Sequence, residues 1–297
     1  DEIEKASETS TNADFNEYLK LQAKALRVAD PMLDAYADKK WATLQDTPLE
    51  FTITRENYAD EMTGTVIENT ELKAMLDEQK ISPIPKDFLG GRVGIVNKKG
   101  TEALMAIKQY LPTLAKNMPY NDEYEQNIKP DEDSKQTMVD VDMVQAAGDV
   151  GEYRGGITLA ENLPNDDKLS LTIGGGRRNV YHRQIRFISD TKKLQERLDE
   201  ILDKEQHKYY FDEADHWFTI GHENAHSLGP KKGNETLGKY RNIIEENKAD
   251  MGSLAFVDLL TELGMYTEEQ RKQIIVTTMA DNFLKSKPTL SQAHRVR

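Results

Sequence analysis

The sequence has 297 residues, of which 37% are hydrophobic and 31% charged, and its formal net charge is −13. A chain of this length can bury a core large enough for two subdomains. The acidic balance argues against nucleic acid as a partner, because phosphate binding requires a basic face. No apolar run approaches the ~20 residues that a membrane-spanning helix needs. The absence of cysteine excludes disulfides and cysteine-ligated zinc.

The first residues of the chain are polar. Residues 1–14 begin without methionine and are typical of what remains after a targeting segment or a tag is removed, so we expect a flexible leader. Such a leader fits an exported bacterial protein, periplasmic or once a lipoprotein. The sequence leaves the compartment open, and a cytoplasmic location is compatible with it.

The remaining chain has mixed patterns first and helical patterns afterwards. An apolar stripe predicts a helix from Phe15 to about Leu44. Short β-branched or alternating runs then predict strands between about residues 48 and 187. The candidate strands are 51–54, 91–96, 156–160 and 169–173, with a helix at 101–114. From Lys192 onward the patterns are helical, and the run Thr267 to Gln270 has the form of a capping box.

Two histidines, His222 and His226, lie four residues apart in the run Gly-His-Glu-Asn-Ala-His. On a helix this spacing places both imidazoles on one face, close enough to hold one metal ion. Glu223 follows the first histidine and can reach a water bound to that metal. The run Leu-Gly-Pro at 228–230 predicts the end of this helix. A solvated helix face with two histidines is the alternative interpretation of the motif alone.

A second acidic cluster follows about twenty residues later and favours the metal site. Glu245, Glu246 and Asp250 lie on a segment from about Tyr240 to Leu260 whose apolar residues suit a packed helix. Two histidines and one carboxylate leave the fourth zinc position open, which is typical of catalytic sites. Glu246 is the candidate third ligand. Asp250, one turn further, can accept a hydrogen bond from a ligand histidine, and Glu245 is a candidate supporting residue.

These motifs resemble those of the dipeptidyl-peptidase III family of zinc peptidases. The run Glu245–Asp250 matches the family pattern Glu-Glu-x-x-Ala-Asp/Glu, which implies that Glu246 is the zinc ligand. His222–His226 has the short form of the first motif, whereas the long form has one more residue between the histidines. This departure makes the chain most similar to the shorter, related zinc-hydrolase domains, some of which are fused to Nudix domains in plants.

Further runs extend the resemblance from about residue 15 to the end of the chain. Asn162 and Asn165 match an Asn-x-Pro-Asn segment, which implies contacts with the substrate backbone. Glu56 and Tyr58 match a stretch near the family's cleft, and His294 matches a Gln-Ala-His motif whose histidine helps to stabilise the transition state. Family members continue for several tens of residues past that motif. We therefore expect a C-terminal portion to be missing, disordered or present as a separate fragment.

Together the patterns and the resemblance predict an α+β fold with a cleft between two parts. Residues 15–190 are assigned to a mixed α/β substrate-binding part with a small sheet. Residues 191–297 are assigned to a mainly helical zinc-binding part.

The predicted function is that of a zinc metallopeptidase with one Zn²⁺ per chain. Glu223 acts as general base on a zinc-activated water, and zinc, with His294 or Tyr58, stabilises the oxyanion. The expected partner is a peptide substrate, with neither nucleic acid nor a membrane span. Two alternatives stay open: a zinc hydrolase of a non-peptide amide or ester, and a non-catalytic, zinc-stabilised protein that binds peptides.

Overall fold

The computed structural model describes residues 1–28, 30–58, 74, 78, 86–128, 137–148, 160–163, 178–183 and 191–284. The described strands form one five-stranded sheet, in the order β1-β2-β3-β5-β4, and several helices accompany it, so the predicted α+β class is confirmed. The strands are β1 Leu49–Tyr58, β2 Lys86–Val96, β3 Thr137–Gly148, β4 Ala160–Leu163 and β5 Arg178–Arg183. The helices are α1 Glu2–Ala6, α2 Ala13–Val28, α3 Pro31–Ala42, α4 Lys98–Met105, α5 Leu111–Lys116, α6 Thr191–Ile201, α7 Glu213–Ala225, α8 Arg241–Ala255, α9 Val257–Glu262 and α10 Glu268–Leu284.

The chain divides into two compact units that interleave in sequence. The first unit takes its described residues from Asp1–Asn57, Lys86–Lys108 and Lys129–Gln184. The second takes them from Tyr58–Pro85, Gln109–Ile128 and Ile185–Arg297. The boundary predicted near residue 190 stays a prediction.

The helices of the first unit begin earlier than the sequence suggested. Within the residues assigned to a flexible leader, the structure has helix α1, and Arg27 of α2 forms ion pairs with Asp1 and Glu4. The single helix predicted from Phe15 to about Leu44 is two helices, α2 and α3. Asp30 caps α3 by accepting a hydrogen bond from the Met32 N–H at 2.8 Å. This cap and a proline in the first turn are typical of a new helix start.

The sheet of the first unit combines both strand directions. Strand β2 pairs antiparallel with β3, β3 pairs parallel with β5, and β4 pairs antiparallel with β5. The candidate strands at 51–54 and 91–96 lie within β1 and β2. The candidate strand at 169–173 lies outside the described residues, and only the last residue of 156–160 lies within them.

The core of the first unit lies between one face of this sheet and helices α2 and α3. Val139, Val141 and Val180 project from β3 and β5 onto that face. The helices contribute aromatic and small side chains in return, so the apolar sides of both layers are removed from water. The buried helical members are Phe15, Tyr18, Leu19, Ala37 and Trp41.

The second unit is helical in its described residues and has a separate core. Buried residues from α5, α7, α9 and α10 meet in this core. Thr267 and Gln270 form the capping box that the sequence predicts, since the Gln270 N–H donates to Thr267 Oγ1 and the Thr267 N–H donates to Gln270 Oε1. Among the described helices, none combines the length and the apolarity that crossing a bilayer requires. The main core residues are Leu111, Leu114, Phe218, Leu228, Phe256, Leu260 and Ile274.

Candidate metal centre

Helix α7 presents the two motif histidines near its C-terminal end. The helix runs from Glu213 to Ala225, and His226 is its C-cap residue. Gly229 follows with a φ of 99°, a left-handed conformation that favours glycine. The predicted helix and its Gly-Pro stop are therefore confirmed. His222 lies within the last turn of the helix, and its carbonyl oxygen accepts a hydrogen bond from the His226 N–H at 3.2 Å, whereas His226 lies at the point where helical hydrogen bonding ends.

Helix α8 packs against α7 at a distance that only small residues allow. A Cβ atom added to Gly221 would lie 2.3 Å from Ser253 Oγ, and one added to Gly252 would lie 2.9 Å from the Ala225 Cβ. The buried Ser253 hydroxyl donates to the Phe218 carbonyl oxygen at 2.8 Å. These contacts fix the spacing of the two helices, so that side chains from both can reach a common point.

His222, His226 and Glu246 meet at that point. The Nε2 atoms of the two histidines are 3.1 Å apart. Glu246 Oε2 lies 3.3 Å from His222 Nε2 and 3.9 Å from His226 Nε2. Around a tetrahedral zinc ion with bonds near 2.0–2.1 Å, neighbouring donors are separated by ~3.3 Å. Two imidazole nitrogens and one carboxylate oxygen at these separations fit a zinc ion.

The outer nitrogen of each imidazole bonds a carboxylate from α8. His222 Nδ1 lies 2.7 Å from Asp250 Oδ1, and His226 Nδ1 lies 2.9 Å from Glu245 Oε1. A carboxylate accepts only from a protonated nitrogen, so Nδ1 carries a hydrogen in each ring, and Nε2 is the atom of each ring that is left to bind a metal. The two carboxylates thus orient the rings for metal binding, as supporting groups commonly do in zinc sites.

The electrostatics of the centre favour charge on these groups. Burial lowers the pKa of His222, but the hydrogen bonds to Asp250 and Glu246 and the charge of Glu223 outweigh it and raise that pKa from 6.5 to about 9. Burial raises the pKa of the Glu245 carboxyl, but hydrogen bonds and charge interactions with His226 and Lys248 outweigh it and lower that pKa. Without metal, His222 therefore holds a proton at neutral pH, and metal binding must displace it.

Glu223 lies on α7 directly after the first histidine and is buried, with 9% of its surface exposed. Its negative charge acts on the His222 imidazole from this position. A carboxylate is one of the side chains that can act as a general base, and Glu223 lies beside an imidazole that could hold a metal ion.

The other predicted substrate residues are only partly described. Glu56 and Tyr58 lie in strand β1 and Asn162 lies in β4, but their side chains are outside what the structure describes. Asn165 and His294 lie outside the described residues altogether. Their predicted roles stay predictions.

Two features of the centre were missed at the level of sequence. The contact of Ser253 with Gly221 joins residues of different helices, and no local pattern indicates it. Lys248, three residues after Glu245, forms an ion pair with that residue at 2.8 Å. Its i,i+3 spacing could have suggested that pair.

Fold and site together define the class: an α+β protein with a cluster of two histidines and one glutamate that could hold a metal ion. No family profile matches the sequence. The structure of dipeptidyl-peptidase III from Caldithrix abyssi superposes with a TM-score of 0.74 at 26% identity, covering 98% of this chain and 52% of that one. That of Corallococcus sp. strain EGB superposes with a TM-score of 0.70 at 20% identity, which shows the fold, and covers 98% of this chain and 50% of that one.

A sequence relative points the same way. Nudix hydrolase 3 from Arabidopsis thaliana is 25% identical to this chain in a match that covers 68% of this chain and 26% of that protein. The resemblance that the motifs predict is therefore confirmed: the chain is dipeptidyl-peptidase III-like, with a link to a plant Nudix hydrolase. It spans about half the length of the two dipeptidyl-peptidase III structures.

Proposed function

We propose that this protein is a zinc-dependent peptidase whose metal is held by His222, His226 and Glu246. The observation that carries the proposal is the convergence of two Nε2 atoms and Glu246 Oε2 within 3.9 Å of one another. The similarity to dipeptidyl-peptidase III structures supports peptides as the substrate class. One zinc ion per chain is the expected stoichiometry.

A zinc ion bound there supplies Lewis acidity, which activates a water molecule at neutral pH. Glu223 is the general base: its carboxylate accepts a proton from the attacking water and passes it to the leaving amine. Asp250 and Glu245 hold the two imidazoles with Nε2 inward throughout.

The motif resemblance extends the proposal to the substrate. Asn162 and Asn165 would hold the peptide backbone, and Glu56 would be a further contact with the substrate. Tyr58 or His294 would donate a hydrogen bond to the developing oxyanion. Each of these roles can be tested by substitution once a substrate is known.

The test is the substitution Glu223→Gln, because an amide can still hydrogen-bond water but cannot accept its proton. A peptide library digested by the zinc-loaded protein and read by mass spectrometry first identifies a substrate. We expect Glu223→Gln to keep zinc and to lose ~10²–10⁴-fold in turnover of that substrate. Glu262→Gln, at an exposed position on α9, removes the same charge away from the centre and should leave turnover unchanged.

Other outcomes of the same assay overturn the proposal. Near-native turnover by Glu223→Gln would show that Glu223 is not the base. Hydrolysis of esters or non-peptide amides but of no peptide would assign a different hydrolase. Peptide binding without turnover by the zinc-loaded wild type would assign a binding protein.

A further inference from the structure

Lys248 of helix α8 contacts both the backbone and the side-chain partner of one proposed metal ligand. Its ammonium group lies 2.8 Å from the Leu228 carbonyl oxygen and 3.3 Å from the His226 carbonyl oxygen. It also lies 2.8 Å from Glu245 Oε1. That same Glu245 oxygen is 2.9 Å from His226 Nδ1. One cation therefore joins the main chain of His226 to the carboxylate that orients its ring.

The position of His226 explains why such a contact is needed. His222 lies within the last turn of α7, and its carbonyl oxygen still accepts a helical hydrogen bond, from the His226 N–H at 3.2 Å. His226 is the C-cap residue, where helical hydrogen bonding ends, so its carbonyl group has no partner within the helix. A lysine that donates to this carbonyl satisfies it and also interacts favourably with the negative end of the helix dipole.

The loop after His226 is held from a second side as well. The Asn127 N–H donates to the Gly229 carbonyl oxygen at 2.7 Å, and the Lys231 N–H donates to the Glu125 carbonyl oxygen at 2.9 Å. The Lys248 stem lies beside Gly229, since its Cδ would be 3.6 Å from a Cβ added there. The backbone that follows the second ligand thus lies between a short strand-like pairing and the lysine side chain.

We propose that Lys248 is a positioning residue that holds His226 in place for the metal, acting through Glu245 and the two carbonyl groups. This inference rests on the metal site of the proposed function but not on peptidase activity. Without Lys248 the C-terminal turn of α7 and the Glu245 carboxylate lose a shared anchor, so the His226 ring is less well ordered for metal binding. Supporting groups of this kind typically alter metal affinity by ~10–100-fold.

The experiment compares Lys248→Met, which keeps the apolar stem and removes the donor, with Lys248→Arg, which keeps the charge. Lys204→Met, at an exposed position of the same unit, is the matched control for loss of a lysine. Zinc affinity is measured by competition with a chelator, the Co(II) complex is examined by visible absorption, and the melting temperature is measured on metal-free and zinc-loaded protein.

We expect Lys248→Met to weaken zinc binding ~10–100-fold and to change the Co(II) spectrum. Lys248→Arg should restore most of the affinity, and Lys204→Met should match the wild type. The double variant Lys248→Met with Glu245→Ala should lose less affinity than the sum of the two single losses, because the two residues act on the same ring.

A lysine that only caps the helix would give a different result. Lys248→Met would then melt at a lower temperature in both metal states, with wild-type zinc affinity and a wild-type Co(II) spectrum, which would overturn the inference. A wild type that binds no zinc would overturn the inference together with the proposed function. If Lys248→Met weakens zinc binding while the wild type cleaves no peptide, the inference stands and the peptidase proposal fails.

Discussion

The two histidines of the metal centre are held in different ways. His222 lies within the last turn of α7, and its outer nitrogen bonds Asp250. His226 lies at the end of the same helix, and its outer nitrogen bonds Glu245, which Lys248 also contacts. A spacing of four residues brings the rings to one face, but it also places the second ring where the helix ends. The comparison indicates that helix α8 supplies, besides a ligand, the groups that compensate for this weaker position.

Removal of a ligand should have the largest effect, because it acts on the centre whichever way the histidines are held. His226→Ala and Glu246→Ala should each lower zinc affinity by more than the ~10–100-fold that is typical for loss of an outer group, since two donors are left to hold the ion. Metal analysis of purified, dialysed protein is the measurement, with Asn247→Ala on the exposed side of α8 as the control. Full zinc occupancy in both ligand variants would end the assignment.

The pH dependence of the free energy of unfolding of the metal-free protein should report on His222 and its acidic partners. The pKa of His222 in the folded state is about 9, above the unfolded value of 6.5. The stabilisation from its proton is therefore complete below pH 6.5 and is lost as the pH rises through 9. Its upper bound is about 3 kcal/mol, from the 1.36 kcal/mol per pKa unit.

Urea unfolding at several pH values in the presence of a chelator measures this loss. Asp250, Glu246 and Glu223 are the acidic groups that act on His222. The variant His222→Gln should show a much flatter profile between pH 6.5 and 9. A wild-type free energy of unfolding that is constant over this window would refute the prediction.

Removal of the outer carboxylates should show which of the two histidines, His222 or His226, depends more on its carboxylate partner. Asp250→Ala and Glu245→Ala should each lower zinc affinity by ~10–100-fold. Asp250→Ala should cost more, because Lys248 still contacts the His226 and Leu228 carbonyl groups when Glu245 is absent. Chelator competition on both variants gives the order. If Glu245→Ala weakens binding more, the lysine contributes little by itself.

A change in the spacing of α7 and α8 should have the smallest effect, and it should affect His222 and His226 alike. Gly221→Ala places a Cβ 2.3 Å from Ser253 Oγ, so we expect the free energy of unfolding to fall by ~1–3 kcal/mol. At an open helical position the same change would stabilise by roughly 1 kcal/mol. The double variant Gly221→Ala with Ser253→Ala removes the hydroxyl and should recover part of the loss. If Gly221→Ala were as stable as the wild type, α7 and α8 could move apart at no cost in free energy, which would contradict the prediction.

What the sequence predicted well depends on local chemistry. The α7 helix, its Gly-Pro stop and the Thr267 capping box follow from residues within one or two turns of one another, and the structure contains all three. The facing histidines follow from helical periodicity in the same way. The position of Glu246 beside the two histidines could be predicted only from the second motif. The acidic residues of that motif are spaced so that successive turns of a neighbouring helix each carry a carboxylate.

The features that the sequence did not predict depend on contacts between residues that lie far apart in the chain. Strand β3 was not among the candidate strands, and its parallel pairing with β5 joins segments about forty residues apart. Parallel neighbours require a long connection, and no turn signal marks the pairing in the sequence. The contacts of Ser253 with Gly221 and of Lys248 with Leu228 likewise join residues that are more than one helix turn apart in the chain. Helix propensity determines neither of them, because the packing angle of α7 and α8 decides which side chains meet.

The central claim is that one zinc ion is bound by His222, His226 and Glu246. Crystals of the zinc-loaded protein, measured on either side of the zinc absorption edge, locate the ion directly. We predict one anomalous peak per chain at ~2.0–2.2 Å from both Nε2 atoms and from a Glu246 carboxylate oxygen, with Asp250 and Glu245 on the outer nitrogens. A peak bonded to Glu245 in place of Glu246, or to either Nδ1 atom, would contradict the account.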